Sequence, residues 1–205
     1  MNNQGLESLG FDGWFRDAFS DSIPSDFSFA RIIEVNKGHY RVSDGTYDML
    51  AELSGKVMYS TVDSIDLPTV GDWVVMQALD DNSLAIIHTV LPRKTLLKRK
   101  EPGRKVDFQL IASNIDYGLV VQSADSLNLN SLERYLVMLH ESKIQPILVF
   151  TKIDLLSSSQ ISDLGMQVKK IHDRYVLISN LVDGGIEPLS HELEPQKTYC
   201  LLGPS

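Results

Sequence analysis

Residues 147–156 read ILVFTKIDLL: four apolar residues run straight into Thr-Lys-Ile-Asp, and the chain resumes with two leucines. A short unbroken apolar run ending in a polar break reads as a strand buried on both faces, the kind a parallel sheet uses. On either side the chain alternates. IDYGLVVQ (115–122) is a strand, and NSLERYLVMLHESK (130–143) has Leu132, Tyr135, Leu136 and Leu139 at helical spacing. After the central run come a helical SQISDLGMQVKKIHDR (159–174), a strand YVLIS (175–179), a short helix GIEPLSHEL (185–193) and a strand TYCLLG (198–203). Strands separated by helices imply an α/β domain with a parallel sheet, whose ligands sit at the carboxyl ends of the strands. Thr151, Lys152, Ile153 and Asp154 stand at such an end.

The first half has a different pattern. FARIIEV (29–35), HYRVSD (39–44), YDMLAELSGKV (47–57), LPTVGDWVVMQAL (67–79) and LAIIHTVL (84–91) are separated by NKG, DG and DDNS. Such runs predict antiparallel strands. Some five of them in about 65 residues make a small closed barrel, for which a five-stranded OB-fold is the first candidate and an SH3-like barrel the second. Trp73 and Tyr40 fill such a barrel or stack on bases, and the first use is the commoner. The stretch LESLGFDGWFRDAF (6–19) is helical, with an apolar face for the barrel or for a partner.

Bulk composition bounds the rest. The 205 residues are 43% hydrophobic and 22% charged, with a formal net charge of −8. No apolar run approaches the ~20 residues of a membrane span, and no secretory signal opens the chain. A single cysteine, Cys200, suits a reducing compartment, so a cytoplasmic monomer is expected. Against the acidic average, residues 93–105 (RKTLLKRKEPGRK) gather Arg93, Lys94, Lys98, Arg99, Lys100, Arg104 and Lys105. This run is a solvated linker, an RNA contact or an activation segment facing a nucleotide. The five histidines lack metal-ligand spacing, no G-x-S-x-G occurs, and no G-x-G-x-x-G follows YGLVVQ. Asp116, Asp125 and Glu133 read as caps or surface charges.

The Lys and Asp of TKID have a specific use. A carboxylate accepts two hydrogen bonds from guanine, at the ring N–H and the exocyclic amine, and adenine offers no such pair. A site built on that pair rejects the wrong base, while the apolar lysine stem lies over the purine. The alternative is an ordinary strand–helix loop whose Asp caps the next helix. About 25 residues on, a second strand ends in Ser179-Asn180 before a glycine pair, where GTP-binding domains present backbone N–H groups to the guanine oxygen. Upstream there is no G-x-x-x-x-G-K-[ST] phosphate loop. The last residues, Gly203, Pro204 and Ser205, follow a strand; with x-x-Gly-Lys-Ser/Thr after them they would open a phosphate loop, and the order would be circularly permuted.

With LPTVGDWVV, QLIASNIDYGLVV, LERYLVM, PILVFTKIDLL, LISNLVDGGIEPL and LLGPS in this order, the chain resembles the RsgA (YjeQ-like) family of circularly permuted GTPases. The resemblance implies an N-terminal extension (1–26), an OB-fold barrel (27–92), a basic linker (93–108) and the guanine-recognising part of a permuted GTPase domain (109–205). It further implies GTP or GDP with Mg²⁺, a zinc-binding C-terminal domain beyond these residues, and the small ribosomal subunit with its rRNA as partner. By position, Lys152 and Asp154 meet the base, with Ile153 between them, and Ser179 and Asn180 close over it. Gly203–Ser205 open the phosphate loop, and the basic run contacts RNA. Two positions depart from the pattern: Thr151 stands where Asn is usual, and Asn180 where Ala is. No catalytic residue falls within 1–205, so the chain alone is expected to be inactive. The rival is an RNA-binding barrel joined to an α/β scaffold that binds no nucleotide.

Overall fold

In a computed structural model the described residues are 3–19, 24–36, 38–60, 64–100 and 108–204. They form two compact units, Met1–Ile115 and Asp116–Ser205. In the first, β1 (Ser28–Asn36), β2 (His39–Ser43), β3 (Asp48–Leu53), β4 (Trp73–Leu79) and β5 (Leu84–Val90) close a barrel in the order β1-β2-β3-β5-β4. Only β3 and β5 run parallel; the other pairings are antiparallel. This closed five-stranded barrel is OB-like. Strand alternation turns Ala30, Ile32, Val42, Met49, Met76 and Ile87 inward, with Tyr40 among them.

Trp73 and Val75 face outward on β4, yet both are buried. Helices α1 (Asn3–Ser8) and α2 (Gly13–Ala18) lay Leu6, Phe11 and Phe15 over them and over Phe29. Phe11 meets Trp73 edge-on, ring centroids 4.8 Å apart. Fully burying side chains of this size is worth roughly 1.5–3 kcal/mol each, so both amphipathic helices are spent on the barrel wall. The stretch YDMLAELSGKV divides instead of forming one strand. β3 ends at Leu53, and the Ser54 hydroxyl accepts from Val57 N (3.4 Å) to start α3 (Gly55–Ser60). A serine N-cap overrides the apolar alternation there.

The basic run is not all connection. β6 (Leu96–Lys100) pairs antiparallel with β7 (Phe108–Ser113), a strand the sequence reading did not anticipate; Leu97 is buried on one face of the ribbon and Ser113 on the other. Ahead of it, Arg93 makes a bidentate pair with Asp72: Nε to Oδ1 at 2.8 Å and Nη2 to Oδ2 at 2.7 Å. Asp72 is fully buried and also accepts from Ser113 Oγ (2.5 Å) and Thr69 N (2.8 Å). Arg93 reaches on to the carbonyls of Ile65 and Leu67. Beside this network Gly71, at φ +91°, brings its Cα so close to Ser113 that an added Cβ would sit 2.1 Å from that carbonyl oxygen.

In the second unit β8 (Tyr117–Ser123), α4 (Leu129–Glu141), β9 (Gln145–Thr151), α5 (Ser158–Lys169), β10 (Tyr175–Leu177), α6 (Glu187–Ser190) and β11 (Tyr199–Leu202) alternate as the sequence predicts. The sheet order is β10-β9-β8-β11, all parallel. Ile147 through Phe150 are buried, which explains the unbroken apolar run. Gly118 lets α4 close in: a Cβ there would lie 2.4 Å from Leu139 Cδ2. At the amino ends of the strands Tyr117 stacks on Tyr199, with Arg174 over the Tyr117 ring and paired to Glu192 at 2.7 Å. No helix among the described residues is long and apolar enough to cross a membrane.

Candidate guanine-recognition site

The parallel sheet brings the ends of its four strands to one edge. At the end of β9 the chain bends through Lys152, whose backbone is left-handed (φ 59°, ψ 37°), into a single 3₁₀ turn, Ile153–Leu155. A left-handed lysine is unusual; the bend turns Asp154 back toward β10. Ile153 N donates to Ile178 O (3.3 Å), and Ile178 N to Phe150 O (2.8 Å), so the loop is stitched to the end of the neighbouring strand.

Ser179 holds Asp154. It is fully buried, and its hydroxyl donates to Asp154 Oδ1. The same hydroxyl accepts from Leu181 N (3.1 Å), and Ser179 N donates to Gly185 O (3.1 Å). Gly185 approaches so closely that a Cβ there would lie 2.2 Å from Ser179 O. The next helix is capped by other residues: Ser157 and Gln160 form a capping box at the start of α5. Asp154 is therefore not the helix cap. It is exposed, held by Ser179, with Oδ2 free of hydrogen bonds among the described residues. Asn180 is exposed, and its backbone N–H has no acceptor among the described residues.

The other sites take their places around this pair. Thr151 Oγ1 donates to Gln122 O (3.4 Å) on β8, and Ser123 lies level with Thr151. Gly203 and Pro204 follow β11 on the far side of β8 and are exposed. Gly203 crosses so near β8 that a Cβ would lie 2.5 Å from Val121 O, a second reason for glycine there. Ser205 is outside the described residues.

Asp125 joins the group although the sequence reading gave it only a cap or surface role. It sits in the 3₁₀ turn Ala124–Ser126 at the end of β8. The Ser123 hydroxyl, and more weakly the Lys152 ammonium, hold its carboxyl below the usual carboxylate range. The signal for it lay in its place two residues past a strand end, which is visible only once the sheet order is known.

The basic residues separate into two groups. Arg93 belongs to the buried network with Asp72, and Lys94 pairs with Asp12 while its ammonium lies 4.4 Å over the Phe15 ring. Lys98 and Arg99 are exposed on β6, with Lys98 Nζ 4.5 Å over Phe108. Lys100 ends that strand; Arg104 and Lys105 fall outside the described residues. Among the described residues no three His, Cys, Asp or Glu come together.

An exposed carboxylate with one oxygen held, beside an unpaired backbone N–H and a lysine stem, is suited to a planar base carrying two adjacent donors and a carbonyl. Comparison with known proteins gives the family. The RsgA GTPase family model matches residues 90–205. "Small ribosomal subunit biogenesis GTPase RsgA 1" of Bacteroides thetaiotaomicron is 40% identical over 161 residues, covering 76% of this chain and 44% of that protein. "Small ribosomal subunit biogenesis GTPase RsgA 2" of Listeria monocytogenes is 34% identical over 201 residues, covering 98% of this chain and 55% of its own. The chain thus spans about half the length of these curated relatives. In fold it is similar to YjeQ from Thermotoga maritima (TM-score 0.70, 20% identity, 87% of this chain and 61% of that one). It is also similar to YloQ, a circularly permuted GTPase (TM-score 0.66, 23% identity, 88% and 61%). With a family model covering more than half its length, this chain belongs to the RsgA GTPase family.

Proposed function

We propose that this chain carries the barrel and the guanine-recognising half of a GTPase that acts in maturation of the small ribosomal subunit. The observation that carries this reading is the Ser179–Asp154 hydrogen bond, which leaves a second carboxylate oxygen for the base. In it, Asp154 accepts from the guanine ring N–H and exocyclic amine, the Lys152 stem covers the purine, and the Asn180 N–H meets the guanine oxygen. Gly203 and Pro204 begin the phosphate loop. In this reading none of residues 1–205 takes the phosphate-binding lysine or the water-positioning role, so these residues alone are expected not to hydrolyse GTP, and the family resemblance adds magnesium with the nucleotide and a zinc-binding domain.

The test is calorimetric titration of GDP, with ADP as control, into the protein. Selective GDP binding that disappears in Asp154→Ala is the expected outcome. Equal or absent binding of the two nucleotides would favour the scaffold reading.

The RNA contact in this proposal rests on Lys98 and Arg99, exposed on β6, and on Lys100 that ends the strand, since phosphate contacts need cations and Arg93 is engaged elsewhere. Neutralising the three is expected to weaken sedimentation with purified small subunits by about tenfold or more at low salt. Unchanged co-sedimentation would remove the ribbon from the interface.

A further inference from the structure

The barrel wall is treated differently at its two ends. Where Trp73, Val75 and Phe29 face outward, α1 and α2 cover them. At the other end of β4 the outward residue is Leu79, and it stays 38% exposed. Register carries this spot across the sheet: Leu79 lies opposite Leu84 on β5, Leu84 opposite Leu50 on β3, and Leu50 opposite Arg41 on β2. Leu84 is 41% exposed and Leu50 54%. Three leucines thus stand in one row over about 10 Å of sheet, with no element of the described chain laid over them.

The charge around the row is one-sided. Asp48 and Glu52 flank it on β3, Asp80 and Asp81 on the β4–β5 turn, and Glu34 on the neighbouring β1, with His39 4.0 Å from Glu52. The arginine of the row, Arg41, is already paired with Glu34 (3.6 Å). Phosphate is repelled from such a surface, and a bare apolar row in an acidic frame matches a cationic segment carrying apolar side chains.

We propose that the Leu50–Leu84–Leu79 row is a protein-docking surface whose occupant is a basic polypeptide segment that seats apolar side chains on the leucines and Lys or Arg against the acidic frame. This surface is separate from the basic ribbon and does not depend on nucleotide binding.

The probe is a 16-residue peptide of leucine and arginine, titrated into the ¹⁵N-labelled 205-residue chain. Controls are a peptide with glutamate in place of arginine, a single-stranded oligonucleotide, and dilution of the chain alone. Support consists of amide shifts confined to residues around 41, 50, 79 and 84 with the basic peptide only. Affinity should also fall at least tenfold in Leu50→Ser/Leu84→Ser, whose exposed positions leave the rest of the spectrum unchanged. Four results would overturn the proposal: shifts spread over the acidic surface generally, equal binding by the double variant, oligonucleotide shifts at the row, or shifts there that grow with protein concentration.

Discussion

Two aspartates in this chain show opposite uses of a carboxylate. Asp72 is completely buried, and both its oxygens are filled by Arg93, Ser113 and Thr69 N. Asp154 is exposed and held at one oxygen by a buried serine hydroxyl. The first is a structural joint: nothing can approach it, and everything around it depends on it. The second is aimed and left open, the condition for reading a ligand. Arg93 illustrates the same division among cations, since it has the sequence context of an RNA contact and the geometry of a strut.

The comparison breaks most visibly at Asp72. Removing one member of a buried, hydrogen-bonded ion pair costs about 3–5 kcal/mol, so Asp72→Ala is expected to lower the urea midpoint drastically or prevent folding of the barrel unit. A loss below about 1 kcal/mol would mean that Arg93 and its neighbours rearrange freely, and that the joint is not one. At Asp154 the same substitution should cost at most about 1.5–3 kcal/mol, the worth of the hydrogen bond from Ser179, and leave the fold intact while removing guanine selectivity.

Ser179→Ala sharpens the contrast from the partner's side. It deletes the donor to Asp154 and the acceptor of Leu181 N. A hydrogen bond to a charged group is worth about 1.5–3 kcal/mol, so GDP affinity should fall roughly 10- to 100-fold by calorimetry, with the fold retained by circular dichroism. Unchanged GDP affinity would show that Asp154 needs no positioning.

The smallest effect concerns Cys200 on β11, beside the candidate phosphate-loop start. Burial pushes its thiol up to about 11. The thiolate is the reactive species, so alkylation at pH 8 should run at least about tenfold slower than for a free thiol and accelerate with each step in pH toward 11. Rapid labelling at pH 8 would indicate that β11 opens readily.

Much of this was legible in the residues. The apolar run at 147–150, its flanking helices and the barrel strands follow from local periodicity, and TKID at a strand end followed from them. Asp125 was passed over because its value depends on which strand lies beside β9. β7 was missed because Phe108–Ser113 has neither clean alternation nor an unbroken apolar run.

By itself, then, the sequence determined what depends on neighbours along the chain: a barrel followed by a parallel α/β unit, Lys152 and Asp154 at the carboxyl end of a buried strand, and glycines where the chain turns. Tertiary structure alone decided how side chains distant in sequence are paired. It sent Arg93 to Asp72 across 21 residues and Ser179 to Asp154 across 25. It also lined up Leu50, Leu84 and Leu79 from three strands. Periodicity fixes which face a residue takes, but hydrogen-bond partners and exposed rows depend on strand order and register, which no local window contains.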